Sequence, residues 1–207
     1  MKRIGIMGGS FNPIHNGHIE IAREVLDELR LDKLIFIPVG NHPFVKSNMA
    51  DAKDRFNMVK LAIDSEEYFE VCDIEIKRRG FSYTVDTLRE LKSTYSDSEF
   101  FFITGADILG ELGLWKDITE IFKLCQFVVV FRPIYAFSSF YNMIDKVEKE
   151  YGIKLCVVEV LGNDVSSTRI RDMVRNREVI AKMVHPEVEK YIIRKKIYRD
   201  MESDDIC

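Results

Sequence analysis

Short runs of β-branched and aromatic residues recur along the chain, separated by longer segments in which apolar residues return at helical spacing. Such alternation is the pattern of an α/β fold with a parallel sheet. It predicts strands over about Arg3 to Met7, Lys33 to Pro38, Phe69 to Ile76, Glu99 to Thr104, Phe127 to Phe131 and Lys154 to Val160. Between the first two strands, Ile19, Ala22, Leu26 and Leu29 form one helical stripe, with Ile21 and Val25 beside it. Glu20, Arg23, Glu24 and Glu28 lie on the opposite side, so this helix can cover one face of the sheet. Further helices are predicted over 51–65, 84–95, 139–150, 167–176 and 186–197. No internal repeat or low-complexity linker divides the chain, which reads as one domain over 1–200. Residues 201–207, with Glu202, Asp204 and Asp205, read as an acidic tail frayed into solvent.

Parallel strands need crossover connections, and ligands of such sheets sit at the carboxyl ends of the strands. Three loops that follow predicted strands therefore stand out: Gly8 to His18, the stretch around Gly105 and Asp107, and Gly162 to Arg171. In the first, Gly8 and Gly9 come directly after a strand, where backbone N–H groups can approach an anion and the next helix adds partial positive charge. It lacks the Gly-Lys-Ser/Thr ending of a P-loop and the Gly-x-Gly-x-x-Gly fingerprint of dinucleotide sites, and glycines alone also suit a plain tight turn.

Two of the four histidines, His15 and His18, fall three apart in this loop. At a helix start both imidazoles project to the same side and can donate hydrogen bonds to one bound group. Zinc ligation uses the same spacing, although no nearby carboxylate or cysteine supplies a third ligand. Capping or core histidines are the plainer reading. In the third loop, Ser166, Ser167 and Thr168 suit a helix N-cap, but Arg169, Ile170 and Arg171 stand where a capping Glu or Gln would. That helix start stays electropositive, as an anion site requires and as a capped surface helix with solvated arginines also permits.

Composition narrows the setting. The 207 residues are 46% hydrophobic and 31% charged, an ordinary globular balance. Thirty Lys and Arg against 34 Asp and Glu give a net charge of -4, which disfavours nucleic-acid or anionic-membrane partners. The apolar runs are strand-sized rather than membrane-spanning, and the N-terminus does not read as a signal peptide, so a soluble cytoplasmic protein is expected. Cys72, Cys125, Cys156 and Cys207 form no close pairs of the zinc or redox kind.

Together, Gly8-Gly9-Ser10-Phe11-Asn12-Pro13-Ile14-His15-Asn16-Gly17-His18 and Ser166-Ser167-Thr168-Arg169-Ile170-Arg171 resemble the motifs of the nucleotidylyltransferase superfamily, and most closely those of bacterial nicotinate-nucleotide adenylyltransferases. Ser82 to Thr87, Gly105-Ala106-Asp107, Leu114-Trp115, Arg132-Pro133 and the helix leading to Tyr191-Ile192 agree, so the likeness spans the chain to about Tyr198. It implies a Rossmann-like doubly wound sheet and adenylyl transfer from ATP to nicotinate mononucleotide. His15, His18 and Arg171 are implied as catalytic. Gly8, Gly9, Ser10, Phe11, Gly105, Asp107, Ser166, Ser167 and Thr168 are implied as ATP contacts, and Thr84, Trp115, Arg132 and Lys46 as contacts of the acceptor nucleotide. No protein side chain is implied as a metal ligand; Mg2+ would come with ATP. Without the resemblance, Trp115, the only tryptophan, reads as a core aromatic.

Two departures from the family pattern are visible. Asn12 stands where Asp is frequent, so its role must be hydrogen bonding or turn formation. The loop after the second strand carries His42-Pro43-Phe44-Val45-Lys46 in place of a Pro-Pro-His-Lys-like stretch, with His42 and Lys46 as substitutes. Phosphopantetheine adenylyltransferases share both motifs but are shorter and lack the Ser-Tyr-Thr and Gly-Leu-Trp segments. Class I aminoacyl-tRNA synthetases share only the first, and a nucleotide sensor without turnover would have no need of His15, His18 and Arg171 together. The sequence leaves a monomer and a homo-oligomer equally open.

Overall fold

Six strands form one all-parallel sheet: β1 (Lys2–Gly9), β2 (Lys33–Pro38), β3 (Phe69–Val71), β4 (Ser98–Gly105), β5 (Gln126–Phe131) and β6 (Cys156–Glu159). Their spatial order is β3-β2-β1-β4-β5-β6, the doubly wound arrangement in which winding reverses between β1 and β4. The computed structural model describes residues 1–41, 49–132, 137–161 and 165–199, with 137 and 138 as backbone only. The acidic tail, His42, Lys46 and Cys207 lie outside the described residues.

Period-two alternation divides the apolar runs between two cores. Ile4 and Ile6 of β1, Ile35 and Ile37 of β2, Phe100 and Phe102 of β4, and Phe127 and Val129 of β5 face one side. There they meet α4 (Thr84–Thr94) through Val85, Leu88 and Leu91, α5 (Ile118–Leu124) through Ile121, and α6 (Phe137–Tyr151) through Phe140, Ile144 and Val147. Met7, Leu34, Phe36, Phe101, Ile103, Val128 and Val130 face the other side. They pack beneath α1 (Asn16–Glu28), α2 (Ala52–Ala62), α7 (Ser167–Arg175) and α8 (Pro186–Lys195). Burial on both faces is why these strands read as unbroken apolar runs.

One predicted strand is corrected. The run from Phe69 stops pairing at Val71, and Ile74–Lys77 forms a short helix, α3. The cause lies in β2. Leu34 N–H donates to the Tyr68 carbonyl and Cys72 N–H to the Phe36 carbonyl, so even-numbered residues of β2 serve this edge. The next in line is Pro38, which has no N–H to donate, and the ladder ends there. Between β4 and β5, where no long apolar stripe exists, the chain forms two 3₁₀ turns, Ala106–Gly110 and Leu112–Leu114, before α5.

Helix α3 packs against the loop leaving β2 through Gly40. A Cβ on Gly40 would lie 2.1 Å from the Glu75 carbonyl oxygen, so two backbones meet where no side chain fits. Gly40→Ala should therefore destabilise the fold by about 1–3 kcal/mol, from strain against rigid backbone. Urea unfolding checks this, and an unchanged midpoint would show that α3 can move aside.

Candidate active site

The glycine loop opens at the carboxyl end of β1, at the reversal of strand order. Parallel registers Gly8↔Ile37 with β2 and Met7↔Ile103 with β4 set Gly8 and Gly9 beside Gly105 across the same edge. Gly8 and Ser10 are exposed there. Phe11 turns inward at a φ of 44° and is only 2% exposed. Its ring lies against Gly9, where an added Cβ would come within 3.2 Å, and stands edge-on to Phe36 and His18. Phe11 thus offers a ligand only its main chain, while its side chain anchors the loop to the core.

His15 forms the N-cap of α1 and His18 its third residue. Nδ1 of His18 accepts the His15 backbone N–H at 3.2 Å, taking the place of the Glu of a capping box. The His18 proton is therefore on Nε2, leaving a donor that points away from the helix. The two rings stack with centroids 3.7 Å apart. Burial, with the Arg132 guanidinium nearby, lowers the His15 pKa from 6.5 to about 4. Burial first, then His15 and Arg132, hold His18 well below its ordinary value. Both imidazoles are neutral donors at neutral pH. Among the described residues the buried His15 Nδ1 has no hydrogen-bond partner.

Helix α7 follows the far edge strand β6, yet its first turn returns to the β1 loop. Ser167 Oγ donates to the Pro13 carbonyl at 2.8 Å, and Arg171 Nη1 to the Asn12 carbonyl at 2.9 Å. Arg171 Nη2 also donates to Thr168 Oγ1, and Ser166 Oγ accepts the Arg169 N–H as the N-cap. The hydroxyls of all three residues are engaged within the protein, and none of the helix's first turn is acidic. Arg171 Nε is buried and finds no partner among the described residues.

The remaining predicted contacts that fall among the described residues come from the ends of β4 and β5, the start of α4 and the segment before α5. The Asp107 carboxylate folds back against Gly105 at the end of β4. Arg132 directly follows β5 and is close enough to perturb both histidines. On the other side of the cleft, Thr84 begins α4. The preceding Ser82 is tied by its N–H to the Asn41 carbonyl, in the loop after β2. Trp115 is half-buried, edge-on to Phe102 and Phe127, so its ring packs against the core of that face without being enclosed by it. The next residue, Lys116, pairs with Asp86 of α4 at 2.9 Å and lies over the Tyr83 ring, which ties this segment to the start of α4. Lys46 falls outside the described residues.

Asn12 is the junction that its residue type suggested. Its Oδ1 accepts the Ala50 N–H at 2.9 Å and the Tyr198 hydroxyl at 2.8 Å, in addition to the Arg171 bond to its carbonyl. Sequence reasoning missed Tyr198 and Arg55. Arg55 left a readable signal, since it shares the apolar stripe of α2 with Met58, Val59 and Ala62 and is buried with them. Tyr198 left none, because its partner is distant in sequence.

A doubly wound sheet with backbone donors, two neutral imidazoles and an arginine gathered at its switch point defines a phosphate-binding α/β protein of the nucleotide-handling kind. The cytidylyltransferase-like family model matches residues 6–173, and the chain belongs to that family. The chain is 43% identical over 196 residues to a Clostridium novyi protein named "probable nicotinate-nucleotide adenylyltransferase", covering 94% of this chain and 98% of the relative. A Thermoanaerobacter protein of the same name is 40% identical over 206 residues, covering 99% and 98%. In fold, the chain resembles the Plasmodium falciparum nicotinic acid mononucleotide adenylyltransferase complexed with NaAD, with TM-score 0.78, 19% identity and coverage of 98% and 100%. Among the described residues, no helix is long and apolar enough to cross a membrane.

The depressed His15 pKa has a consequence for stability. Since the folded state resists protonation, its contribution is complete above the ordinary value of 6.5 and is lost as pH falls toward about 4. Over that interval His15 should account for about 3 kcal/mol of acid destabilisation. Urea unfolding across the range should show a shallower pH slope for His15→Gln than for the wild type. Equal slopes would mean that His15 ionises freely in the folded protein.

Proposed function

We propose that this protein transfers the adenylyl group of ATP to the 5'-phosphate of nicotinate mononucleotide, forming deamido-NAD and pyrophosphate. The observation that carries the reading is the near full-length likeness to relatives of that name, at 43% and 40% identity. Convergence of both phosphate motifs on the Asn12–Pro13 backbone supports it.

In the reaction, a phosphate oxygen of the acceptor attacks the α-phosphorus of ATP, the bond to the bridging oxygen breaks, and pyrophosphate leaves. The nucleophile is ionised already, so the protein's task is positioning and charge neutralisation rather than proton abstraction. Gly8, Gly9, Ser10 and Phe11 present main-chain donors to the phosphates. His18 Nε2–H and the His15 ring donate to the α-phosphoryl group, where charge builds in the transition state. The same phosphate charge offsets the repulsion by Arg132 that helps to keep the rings neutral.

Arg171, with a spare Nε donor, and the N–H groups of Ser167 and Thr168 at the α7 N-terminus hold the departing β- and γ-phosphates. Reorientation of the Ser166, Ser167 and Thr168 hydroxyls adds to that set. Mg2+ would be supplied with ATP as its counter-ion, where it would neutralise phosphate charge. Gly105 and Asp107 face the ATP ribose. Thr84 and the exposed part of the Trp115 ring receive the pyridine and its carboxylate, with Arg132 and Lys46 on the acceptor phosphate. A biosynthetic enzyme with these substrates works in the cytoplasm, where ATP is plentiful.

Pyrophosphate release from MgATP with nicotinate mononucleotide, nicotinamide mononucleotide and phosphopantetheine, compared side by side, tests the reading. Turnover should be fastest with the nicotinate acceptor; preference for phosphopantetheine would move the chain to the neighbouring specificity. His18→Ala should remain folded, since the substitution gives up one helix-cap hydrogen bond, and should lose about a hundred-fold in kcat, as when a transition-state donor is removed. Near wild-type turnover would remove His18 from the chemistry.

A further inference from the structure

Arg55, on α2, is the most deeply buried charged residue among the described residues, at 1% exposure. Its three guanidinium nitrogens each donate to a different main-chain carbonyl. Nη1 reaches Ser10 at 2.7 Å, Nη2 reaches Val39 at 2.6 Å, and Nε reaches Ala50 at 3.0 Å. Ser10 belongs to the glycine loop, whereas Val39 and Ala50 are the two stems of the connection from β2 to α2. The Ala50 peptide is captured on both sides, its carbonyl by Arg55 and its N–H by Asn12 Oδ1. Through Asn12 the same chain of bonds continues to Arg171.

We infer that Arg55 is a positioning residue for adenylyl transfer, locking the phosphate-binding loop in register with both stems of the β2–α2 connection across the cleft. The inference rests on the adenylyl-transfer reading above. Stability alone gives a poor account of this residue. Burying a cation is costly, and no carboxylate forms an ion pair with Arg55 among the described residues, so its three carbonyl bonds must first offset that cost before they add anything to the fold. What an apolar residue could not do is hold three carbonyls that point at one spot from three segments.

The planar fork is essential to that role. A lysine would keep the charge but reach one or two of the carbonyls, releasing at least one segment. The loop it releases carries the donors that meet the reacting phosphates, and a misplacement of about 1 Å in such a group costs about a hundred-fold in rate. Substrate affinity depends on many other contacts and should change much less.

The test measures kcat and both KM values for wild type, Arg55→Lys and Arg55→Ala, with circular dichroism to verify folding. Arg55→Lys should lose at least ten-fold in kcat while each KM changes less than three-fold. Millimolar guanidinium, far below denaturing concentrations, should restore part of the Arg55→Ala rate, whereas methylammonium, which carries charge without the fork, should not. Folded Arg55→Lys with kcat within three-fold of wild type overturns the inference, as does equal rescue by both ions. Failure of both variants to fold also overturns it, by making Arg55 a residue of the fold alone. Absence of wild-type turnover with nicotinate mononucleotide would instead overturn the functional reading beneath it.

Discussion

Parallel strands deliver all their carboxyl ends to one edge of the sheet, and reversal of winding between β1 and β4 opens a crevice there that neither set of crossovers covers. Everything of chemical interest in the molecule depends on that constraint. The glycine loop leaves β1 into the crevice, Gly105 and Asp107 leave β4 beside it, and Arg132 leaves β5 one strand further on. Helix α7 belongs by sequence to the far edge strand, but its first turn docks on the Asn12–Pro13 carbonyls and completes the cleft from above.

The electrostatics follow from what lines this crevice. A chain with net charge -4 has placed its local positive character where the backbone and a few side chains can focus it. Two buried imidazoles remain neutral because burial and Arg132 oppose their charging. The α7 start carries no acidic residue, and one buried N–H of Arg171 finds no partner among the described residues. In the proposed reaction an incoming polyphosphate would relieve each of these unfavourable states, so that binding energy and charge stabilisation would arise from the same contacts.

Several of these side chains also hold the site together. Ser167, Arg171, Asn12 and Arg55 all bond to loop backbone, and the loops in turn define where a phosphate can lie. Sequence motifs in this region therefore mix ligand contacts with scaffold contacts, and residue type alone does not separate them. Phe11 illustrates the mixture, with its main chain at the cleft and its ring in the core.

Local chemistry made much of the protein legible in its sequence. Apolar runs and stripes depend on neighbours two to four residues away, so the strands at the core of the sheet and the long helices emerged to within three residues at each end. The glycine–histidine loop and the Ser-Ser-Thr-Arg-Ile-Arg turn stood out because a strand end followed by a helix start is itself a local pattern, and the fold brings the two together. The end of β3 was not, since the missing donor that stops its ladder is Pro38 on a different strand. Nor were the neutral state of the histidines, the three-carbonyl clasp of Arg55 or the Tyr198 bond to Asn12. Each is set by groups that only folding brings together, where burial decides protonation and backbone carbonyls from distant segments decide what a buried cation can hold.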